Sequence, residues 1–354
     1  MSNAEWNTIS FPGLNIELPI YSTAFTVFGL EIKWYGIFIA IGVLLALVYC
    51  FKRMNKVGID SDRATDVVFV SFIGAIIGAR LYYVFMCWDQ YKDDLKSIFA
   101  IRDGGLAIYG GLIGALLVGF LMCRLRKVKM LPILDLTAMG FLIGQAFGRW
   151  GNFFNHECFG TNTNLPWGMT SPRIRSYISR TADELEALYG ITMDPNVPVH
   201  PCFLYESLWC IIGFVLLHLY FNHRKFDGEI FFMYAGWYGI GRFFIEGLRT
   251  DSLMVGNIRI SQLVAAVSVV AAIVVIIAFR VKIKSNGSYT FYKDTEESKR
   301  LIAETEEKYA QEEQKRKEKK AKRQAEKNEL RPEDRIIDIS EDKDNSNTED
   351  ENNG

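Results

Sequence analysis

The chain has 354 residues, 49% of them apolar, and a formal net charge of −1. These averages hide two unlike regions, because the last 70 residues carry 15 Lys/Arg and 20 Asp/Glu, whereas the first 284 carry 25 and 21. The acidic end region argues against a nucleic-acid partner, and the apolar residues concentrated upstream indicate a membrane protein.

The first 30 residues lack the charged start and the apolar run of a cleavable signal peptide. The stretch from Trp6 to Leu30 contains Pro12, Pro19 and several β-branched residues. This composition predicts extended or interfacial structure on the outer face of a membrane. The first apolar span is then expected to act as the targeting signal.

Seven segments are apolar enough to cross a bilayer, which takes about 20 residues in a helix. They lie near residues 35–51, 66–87, 105–123, 131–150, 202–221, 229–248 and 260–280. The fourth contains Asp135 and Gln145, and the sixth contains Arg242 and Glu246, which suggests that these spans line a cavity. The sequence therefore predicts an all-α integral membrane protein with seven transmembrane helices.

The basic residues of the short loops indicate how the helices are oriented, because such loops stay in the cytoplasm. They follow the first, third, fifth and seventh spans, as Lys52, Arg53, Lys56, Arg63, Arg124, Arg126, Lys127, Lys129, Arg224, Lys225, Arg280, Lys282 and Lys284. The opposite loops mix both signs, as between Asp89 and Lys96. We therefore expect the N-terminus outside and the C-terminus in the cytoplasm.

The long connection at residues 156–200 contains four prolines and predicts a small external subdomain. Within it, Ser179 to Tyr189 has helical spacing, and Thr181 is a plausible N-cap. We divide the chain into a seven-span domain, residues 1–284, and a charged cytoplasmic tail, residues 285–354.

Glutamate and lysine alternate in the tail between Glu296 and Glu329. Such spacing allows ion pairs four residues apart and favours an exposed helix. The final acidic segment from Asp338 is expected to be disordered, because it has few apolar residues to bury. The simplest interpretation of the tail is a solvated appendage.

The six cysteines include no C-x-x-C pair, and the four histidines show no H-E-x-x-H spacing. Neither set therefore predicts a metal site. Cys158 and Cys202 are both expected on the outer side, so one disulfide between them is possible. Buried thiols are the simpler interpretation of these cysteines.

A polar run ends the fourth span, with the sequence Gly148-Arg149-Trp150-Gly151-Asn152-Phe153-Phe154-Asn155-His156-Glu157-Cys158-Phe159-Gly160. An arginine at the centre of a membrane helix costs roughly 2.5–3.5 kcal/mol, so a charge in a span indicates function. Guanidinium groups bind phosphate oxygens through paired hydrogen bonds. Because the run is predicted on the outer side, the expected ligand is a phospholipid head group.

A purely structural interpretation of the same charges is also open. Arg149 could pair with Glu157, and Arg242 could pair with Glu246 four residues along its helix. Such ion pairs would only join helices. The two asparagines and three glycines of the run favour a binding site instead, since an ion pair needs only two residues.

The polar run resembles the G-R-x-G-N-F-x-N-x-E-x-x-G signature of the bacterial prolipoprotein diacylglyceryl transferases and matches it at every specified position. Similar blocks occur in the same order, at Trp34-Tyr35-Gly36, Gly104-Gly105, Gly110-Gly111, His200-Pro201, Leu204-Tyr205-Glu206, Tyr238-Gly239, Gly241-Arg242-Phe243 and Glu246. The resemblance covers about residues 6–280 and does not extend to the tail.

This resemblance implies transfer of the diacylglyceryl group of phosphatidylglycerol to the lipobox cysteine thiol of a prolipoprotein signal peptide. The product is a thioether, and glycerol phosphate leaves. The implied location is the bacterial cytoplasmic membrane, where the reaction is the first step of lipoprotein maturation. No metal or organic cofactor is implied, and the family's seven spans agree with the count above.

The resemblance also implies roles for single residues. Arg149 would bind the lipid phosphate, and Arg242, oriented by Glu246, would be a second phosphate or glycerol contact. The substrate-binding set implied in this way is Arg149, Asn152, Asn155, Gly160, Tyr35, Tyr238 and Glu246. Tyr238 lies one helical turn before Arg242 and would face the same cavity.

One position departs from the family pattern. The third span of the family has His-Gly-Gly, with the histidine proposed as the base, whereas this chain has Tyr109-Gly110-Gly111. A phenol is a poorer base than an imidazole near neutral pH. Either Tyr109 accepts the thiol proton, or it positions the lipid and another group such as Glu157 accepts it. The implied catalytic set is Tyr109, Arg149, Glu157 and Arg242.

Two other functional classes could place charges inside membrane spans. A transporter of an anionic substrate would favour repeated halves and broken helices near the bilayer midplane, whereas this polar run lies at the end of a span. A membrane scaffold would not require Asn152, Asn155 and Glu157 together. The signature therefore favours the transferase over both.

Overall fold

The computed structural model describes residues 6–101, 104–250, 254–255 and 258–329. Each of the seven predicted spans corresponds to one helix: α1 Trp34–Arg53, α2 Ser61–Met86, α3 Ile108–Leu125, α4 Met130–Asn155, α6 Cys202–Tyr220, α7 Glu229–Leu248 and α8 Ile260–Asn286. Two further helices are α5 Pro172–Tyr189 and α9 Glu296–Glu329. The predicted all-α membrane architecture is confirmed.

Six helices of the described ranges are long and apolar enough to cross a membrane, namely α1, α2, α3, α4, α6 and α8. Helix α7 also has 20 residues. It contains three charged residues, Glu229, Arg242 and Glu246, and is not among these six. The structure thus supports a multi-pass membrane protein, and the seventh span and the orientation stay predictions.

Glycines allow α2 and α3 to approach closely. A Cβ atom on Gly78 would lie 2.5 Å from the carbonyl oxygen of Gly110, and one on Gly114 would overlap the carbonyl oxygen of Gly74. Small residues spaced four apart are typical of tightly packed membrane helices, because they bring the two backbones into contact. These positions therefore cannot carry a side chain without moving the helices apart.

Two tryptophans join α6 to α7. The rings of Trp209 and Trp237 are stacked with centroids 4.2 Å apart. The Nε1–H of Trp209 donates to the carbonyl oxygen of Trp237 at 2.9 Å, and the reverse bond is 3.0 Å. Each ring covers a glycine of the opposite helix, Gly241 or Gly213. Both indole donors are thereby satisfied inside the helix pair.

Two β-hairpins precede α1, in agreement with the extended structure expected for this segment. Strands β1 Thr8–Phe11 and β2 Ile16–Pro19 pair antiparallel, as do β3 Thr23–Val27 and β4 Leu30–Lys33. A third short pair consists of β5 Met254–Val255 and β6 Ile258–Arg259. An isolated bridge from Ser10 to Thr170 attaches the first hairpin to the start of α5.

The helix predicted within residues 156–200 exists but begins earlier than expected. The predicted start near Ser179 is wrong, because α5 begins at Pro172 with Ser171 as its N-cap. Ser171 Oγ accepts a hydrogen bond from the backbone N–H of Ile174 at 3.2 Å, and a proline is favourable at the first helical position. Thr181 is therefore not a cap, and its hydroxyl donates to the carbonyl oxygen of Tyr177.

The chain divides into two compact units, residues 1–298 and 299–354. In the first unit, Tyr292 is buried and donates its backbone N–H to Asp227 Oδ2 at 2.7 Å. Ser298 Oγ donates to the carbonyl oxygen of Gly58 at 2.6 Å. The predicted helix from Glu296 to Glu329 is confirmed, and the disorder expected from Asp338 concerns positions outside the described residues.

Candidate active site

One buried carboxylate joins the two arginines that the sequence singled out. Arg149 Nη2 lies 2.6 Å from Glu206 Oε2, and Arg242 Nη1 lies 3.3 Å from Glu206 Oε1. Only 4% of the Glu206 residue is exposed. Since an unpaired charge at this depth would be costly, the two guanidinium groups and this carboxylate stabilise one another.

Two more charged side chains join this group. Arg249 Nη1 lies 3.5 Å from Glu206 Oε1, and Arg242 Nη2 lies 2.6 Å from Glu246 Oε2. We call Arg149, Arg242, Arg249, Glu206 and Glu246 the arginine cluster. The cluster thus places three guanidinium groups around two carboxylates. Fixed guanidinium groups of this kind can bind a phosphate anion.

The helix order explains why these residues meet. Arg149 lies in the last turns of α4, Glu206 in the first turns of α6, and Arg242 and Glu246 near the end of α7. Antiparallel neighbours bring alternate termini to the same end of the bundle. Helices α4 and α6 are also tied directly, because Ser207 Oγ donates to the carbonyl oxygen of Ala146 at 3.0 Å.

The residues after Arg149 in the polar run extend the site. Asn152 Oδ1 lies 3.4 Å from Arg149 Nη1. The Cys158 thiol lies 3.5 Å from the same nitrogen and 3.7 Å from Glu206 Oε1. Asn155 is the last residue of α4. The run therefore folds back over the arginine cluster after the helix ends.

Gly160 lies where the chain leaves the arginine cluster, at a point that is packed too tightly for a side chain. A Cβ atom here would lie 2.8 Å from both the Cys202 Sγ and the Leu248 carbonyl oxygen. The backbone N–H of Gly160 donates to the carbonyl oxygen of His200 at 2.9 Å. The glycine thus allows the ends of α4 and α7 and the start of α6 to lie close together.

His156 ends α4 in the left-handed conformation, with φ of 60°. Its Nδ1 lies 3.0 Å from Ser171 Oγ and its Nε2 lies 3.3 Å from the Ile20 carbonyl oxygen. Burial lowers the pKa of His156 to about 4. The ring is therefore neutral at physiological pH and links the polar run to the start of α5 and to the N-terminal segment.

The predicted tyrosines occupy different environments. Tyr35 packs against the backbone of the polar run, because a Cβ atom on Gly151 would lie only 2.5 Å from the Tyr35 Cδ2. Tyr238 stacks on Tyr234 and is close enough to interact electrostatically with Arg149, among other charged groups. Tyr109 is 41% exposed in the first turn of α3. Within the described residues, no hydrogen bond joins Tyr109 to the arginine cluster.

Two pairings that the sequence left open as alternatives do not form. The partner of Arg149 is Glu206 and not Glu157, because Glu157 lies beyond the end of α4 and is exposed. The alternative disulfide is also wrong: Cys158 and Cys202 lie among the described residues, and both are thiols. The pairing of Arg242 with Glu246 is confirmed.

Sequence reasoning missed Glu206 and Arg249 as members of the site. Glu206 stood in the block Leu204-Tyr205-Glu206 but received no role. A glutamate in an apolar span was a usable signal, since a charge there needs a partner. Arg249 offered no comparable signal, because it follows the end of α7, where basic residues are common.

Comparisons with known proteins identify the family of this chain. The model of the prolipoprotein diacylglyceryl transferase family matches residues 22–278. A relative from Clostridium novyi, named phosphatidylglycerol–prolipoprotein diacylglyceryl transferase, is 44% identical over 262 residues, which are 74% of this chain and 97% of the relative.

Two further relatives carry the same name. The protein of Finegoldia magna is 42% identical over 73% of this chain and 96% of its own length. The protein of Clostridioides difficile is 39% identical over 75% of this chain and 98% of its own length. The chain therefore belongs to the prolipoprotein diacylglyceryl transferase family, which is a family of transferases.

Proposed function

We propose that this protein transfers the diacylglyceryl group of phosphatidylglycerol to a prolipoprotein cysteine thiol. Family membership supports this reaction, and so does the arginine cluster, whose guanidinium groups can bind the phosphate of the lipid. The transporter alternative has no support from the comparisons. We place the activity in residues 1–284 and assign no part of it to the charged tail.

The proposed reaction is a displacement at carbon. The thiol sulfur forms a C–S bond to the glycerol carbon of the diacylglyceryl group, and the C–O bond to phosphate breaks. Glycerol phosphate leaves with the bonding electrons, and the thiol proton passes to a base. Negative charge grows on the leaving phosphate, so fixed guanidinium groups stabilise the transition state more than the ground state.

We assign the phosphate to Arg149 and Arg242, because their side chains meet at one carboxylate. Glu206 and Glu246 hold these guanidinium groups in place before the lipid binds. Preorganised donors are more effective than donors that must be ordered during the reaction. Arg249 adds the third positive charge.

The other predicted residues have supporting roles in this proposal. Asn152, beside Arg149, and Asn155 bind the head group, and Gly160 shapes the turn that encloses it. Tyr35 and Tyr238 line the lipid side of the cavity. The thiol proton goes to Tyr109 or Glu157, both of which are exposed enough to meet a substrate.

The proposed partners follow from the reaction. They are phosphatidylglycerol, the lipobox segment of a prolipoprotein signal peptide, and the bilayer that contains both. The proposed location is the bacterial cytoplasmic membrane, with the arginine cluster at the outer interface, the N-terminus outside and the tail inside. The four basic loops predicted on the opposite side support this orientation.

The test uses the purified full-length protein in detergent with phosphatidylglycerol and a synthetic lipobox peptide. We expect the mass of one diacylglyceryl group to be added to the peptide, as a thioether on its cysteine. A peptide with serine in place of cysteine is the matched control. No mass shift, under conditions in which the Clostridium novyi relative produces one, would contradict the proposal.

A further inference from the structure

A buried arginine organises the connection between α2 and α3. Arg80 is only 6% exposed, and its guanidinium donates to five backbone carbonyl oxygens. The acceptors are Ser97 at 2.7 Å, Ile98 at 2.8 Å, Ala100 at 3.3 Å, Gly104 at 2.8 Å and Gly105 at 3.0 Å. We call residues 95–101 and 104–107 the α2–α3 segment. One side chain therefore satisfies much of this segment's backbone.

Three large apolar side chains in or next to this segment are exposed. Phe99 is 85% exposed and Leu95 is 57% exposed, and Ile108 at the start of α3 is 88% exposed. These side chains continue the apolar surfaces of two membrane helices. Irregular backbone is tolerated at membrane depth only when its polar groups are satisfied within the protein. Arg80 meets this requirement while exposed apolar side chains surround it, and this combination favours lipid as the occupant.

The segment lies at the same end of the bundle as the arginine cluster. Only four residues, 126–129, connect α3 to α4, so the start of α3 and the end of α4 share one side. The backbone N–H of Ala107 donates to the carbonyl oxygen of Ala79 at 3.1 Å. Arg80 and its neighbour thus hold both the α2–α3 segment and the first turn of α3, which contains Tyr109.

We propose that Arg80 is a positioning residue that holds the α2–α3 segment as an apolar, lipid-contacting surface next to Tyr109, over which phosphatidylglycerol approaches the site. The part that concerns phosphatidylglycerol rests on the proposed function. The part that concerns lipid contact does not. A lysine cannot replace Arg80, because one ammonium group has three donors and cannot reach five carbonyl oxygens in a planar arrangement.

The first test compares Arg80→Lys and Arg80→Gln with Arg124→Lys, an exposed arginine at the other end of α3. The proteins are placed in phosphatidylcholine–phosphatidylglycerol nanodiscs that contain a lipid with a photoreactive acyl chain. We expect the wild type and Arg124→Lys to be labelled at residues 95–101. Both Arg80 variants should lose most of this label, and their amide hydrogens at 95–101 should exchange about tenfold faster.

A pair of glycine variants separates the arginine contact from backbone strain. Gly104 and Gly105 both have positive φ, of 92° and 77°. A Cβ atom on Gly105 would overlap Arg80 Nη1, whereas one on Gly104 would meet nothing within 4 Å. We expect Gly105→Ala to reproduce the loss of label seen in the Arg80 variants and Gly104→Ala to retain the label. Equal loss in both glycine variants would contradict a specific role of Arg80.

Steady-state kinetics test the connection to the lipid substrate. We expect Arg80→Lys to raise the KM for phosphatidylglycerol about tenfold, with kcat and the KM for the peptide within twofold of the wild type. A fall in kcat at constant KM would overturn the positioning role. Unchanged labelling and exchange in both Arg80 variants would overturn the lipid contact, whatever the enzyme activity. If the wild type is labelled as expected but transfers no diacylglyceryl group to the peptide, only the proposed function would be contradicted.

Discussion

Arg149 and Glu206, which are 57 positions apart in the sequence, form an ion pair of 2.6 Å between the end of α4 and the start of α6. The same carboxylate also contacts Arg242 and Arg249. Because one anion holds three cations, removal of its charge affects all of them. This arrangement involves more groups than a simple structural ion pair, which needs only two residues, and it supports the proposed phosphate site.

Removal of the Glu206 charge should therefore impair catalysis strongly, because one substitution disturbs three arginines. We expect Glu206→Gln to lower kcat/KM for phosphatidylglycerol by roughly a hundredfold, because three guanidinium groups would repel one another and lose their common anchor. Transfer assays with Glu186→Gln, an exposed position on α5, provide the control. Activity of Glu206→Gln within twofold of the wild type would show that the anchor is unnecessary.

Lysine should not replace the two arginines that we propose to bind the phosphate. We expect Arg149→Lys and Arg242→Lys each to reduce the transfer rate by about 10²- to 10³-fold, the range found when one oxyanion donor is lost. Each variant keeps the charge but loses the paired hydrogen bonds of the guanidinium. Thermal unfolding of both proteins is measured in parallel, and a rate loss explained entirely by unfolding would refute the assigned role.

The proton acceptor can be identified by comparing two conservative variants. If Tyr109 accepts the thiol proton, Tyr109→Phe should lose at least a hundredfold in kcat and Glu157→Gln should stay near the wild type. The opposite result would assign the proton to Glu157. The pH–rate profile is the second measurement, because loss of the true acceptor should remove one limb of the profile. Near-full activity of both variants would exclude both residues.

The buried His156 should make stability depend on pH. Its pKa is lowered to about 4 in the folded protein, compared with about 6.5 for an exposed histidine. Between these two pH values the unfolded state therefore binds more protons than the folded state. The free energy of unfolding should be highest above about pH 6.5 and should fall as the pH decreases towards 4. The unfolding temperature in detergent should follow this course, and His156→Gln should flatten it. An unchanged slope in the variant would assign the effect to other groups.

Two glycines of the polar run should respond differently to the same substitution. Gly160→Ala would press against the Leu248 carbonyl oxygen, and overpacking of this kind typically costs about 1–3 kcal/mol. Gly148→Ala would meet nothing within 4 Å and should leave the unfolding temperature unchanged. If Gly148→Ala keeps its stability but loses activity, the lipid must approach that glycine closely. Equal destabilisation of both variants would contradict the packing argument.

The sequence by itself determined the membrane architecture, because hydrocarbon selects helices of about 20 apolar residues wherever they occur. All seven predicted segments correspond to helices. It also indicated Arg149 and Arg242, since a charge in a span is costly enough to be conspicuous. The start of α5 was misplaced because Ser171 and Pro172 lie before the apolar spacing that drew attention to Ser179.

The choice of partners was decided only by the tertiary structure. An ion pair depends on which helix ends meet, and the sequence analysis considered only Glu157, eight residues from Arg149, as its partner. Antiparallel packing of α4, α6 and α7 brought Glu206 between the arginines and left Glu157 exposed. The contacts of Arg80 were likewise decided by the tertiary structure. Every residue has a backbone carbonyl group, so the sequence cannot show which five of them one side chain will contact.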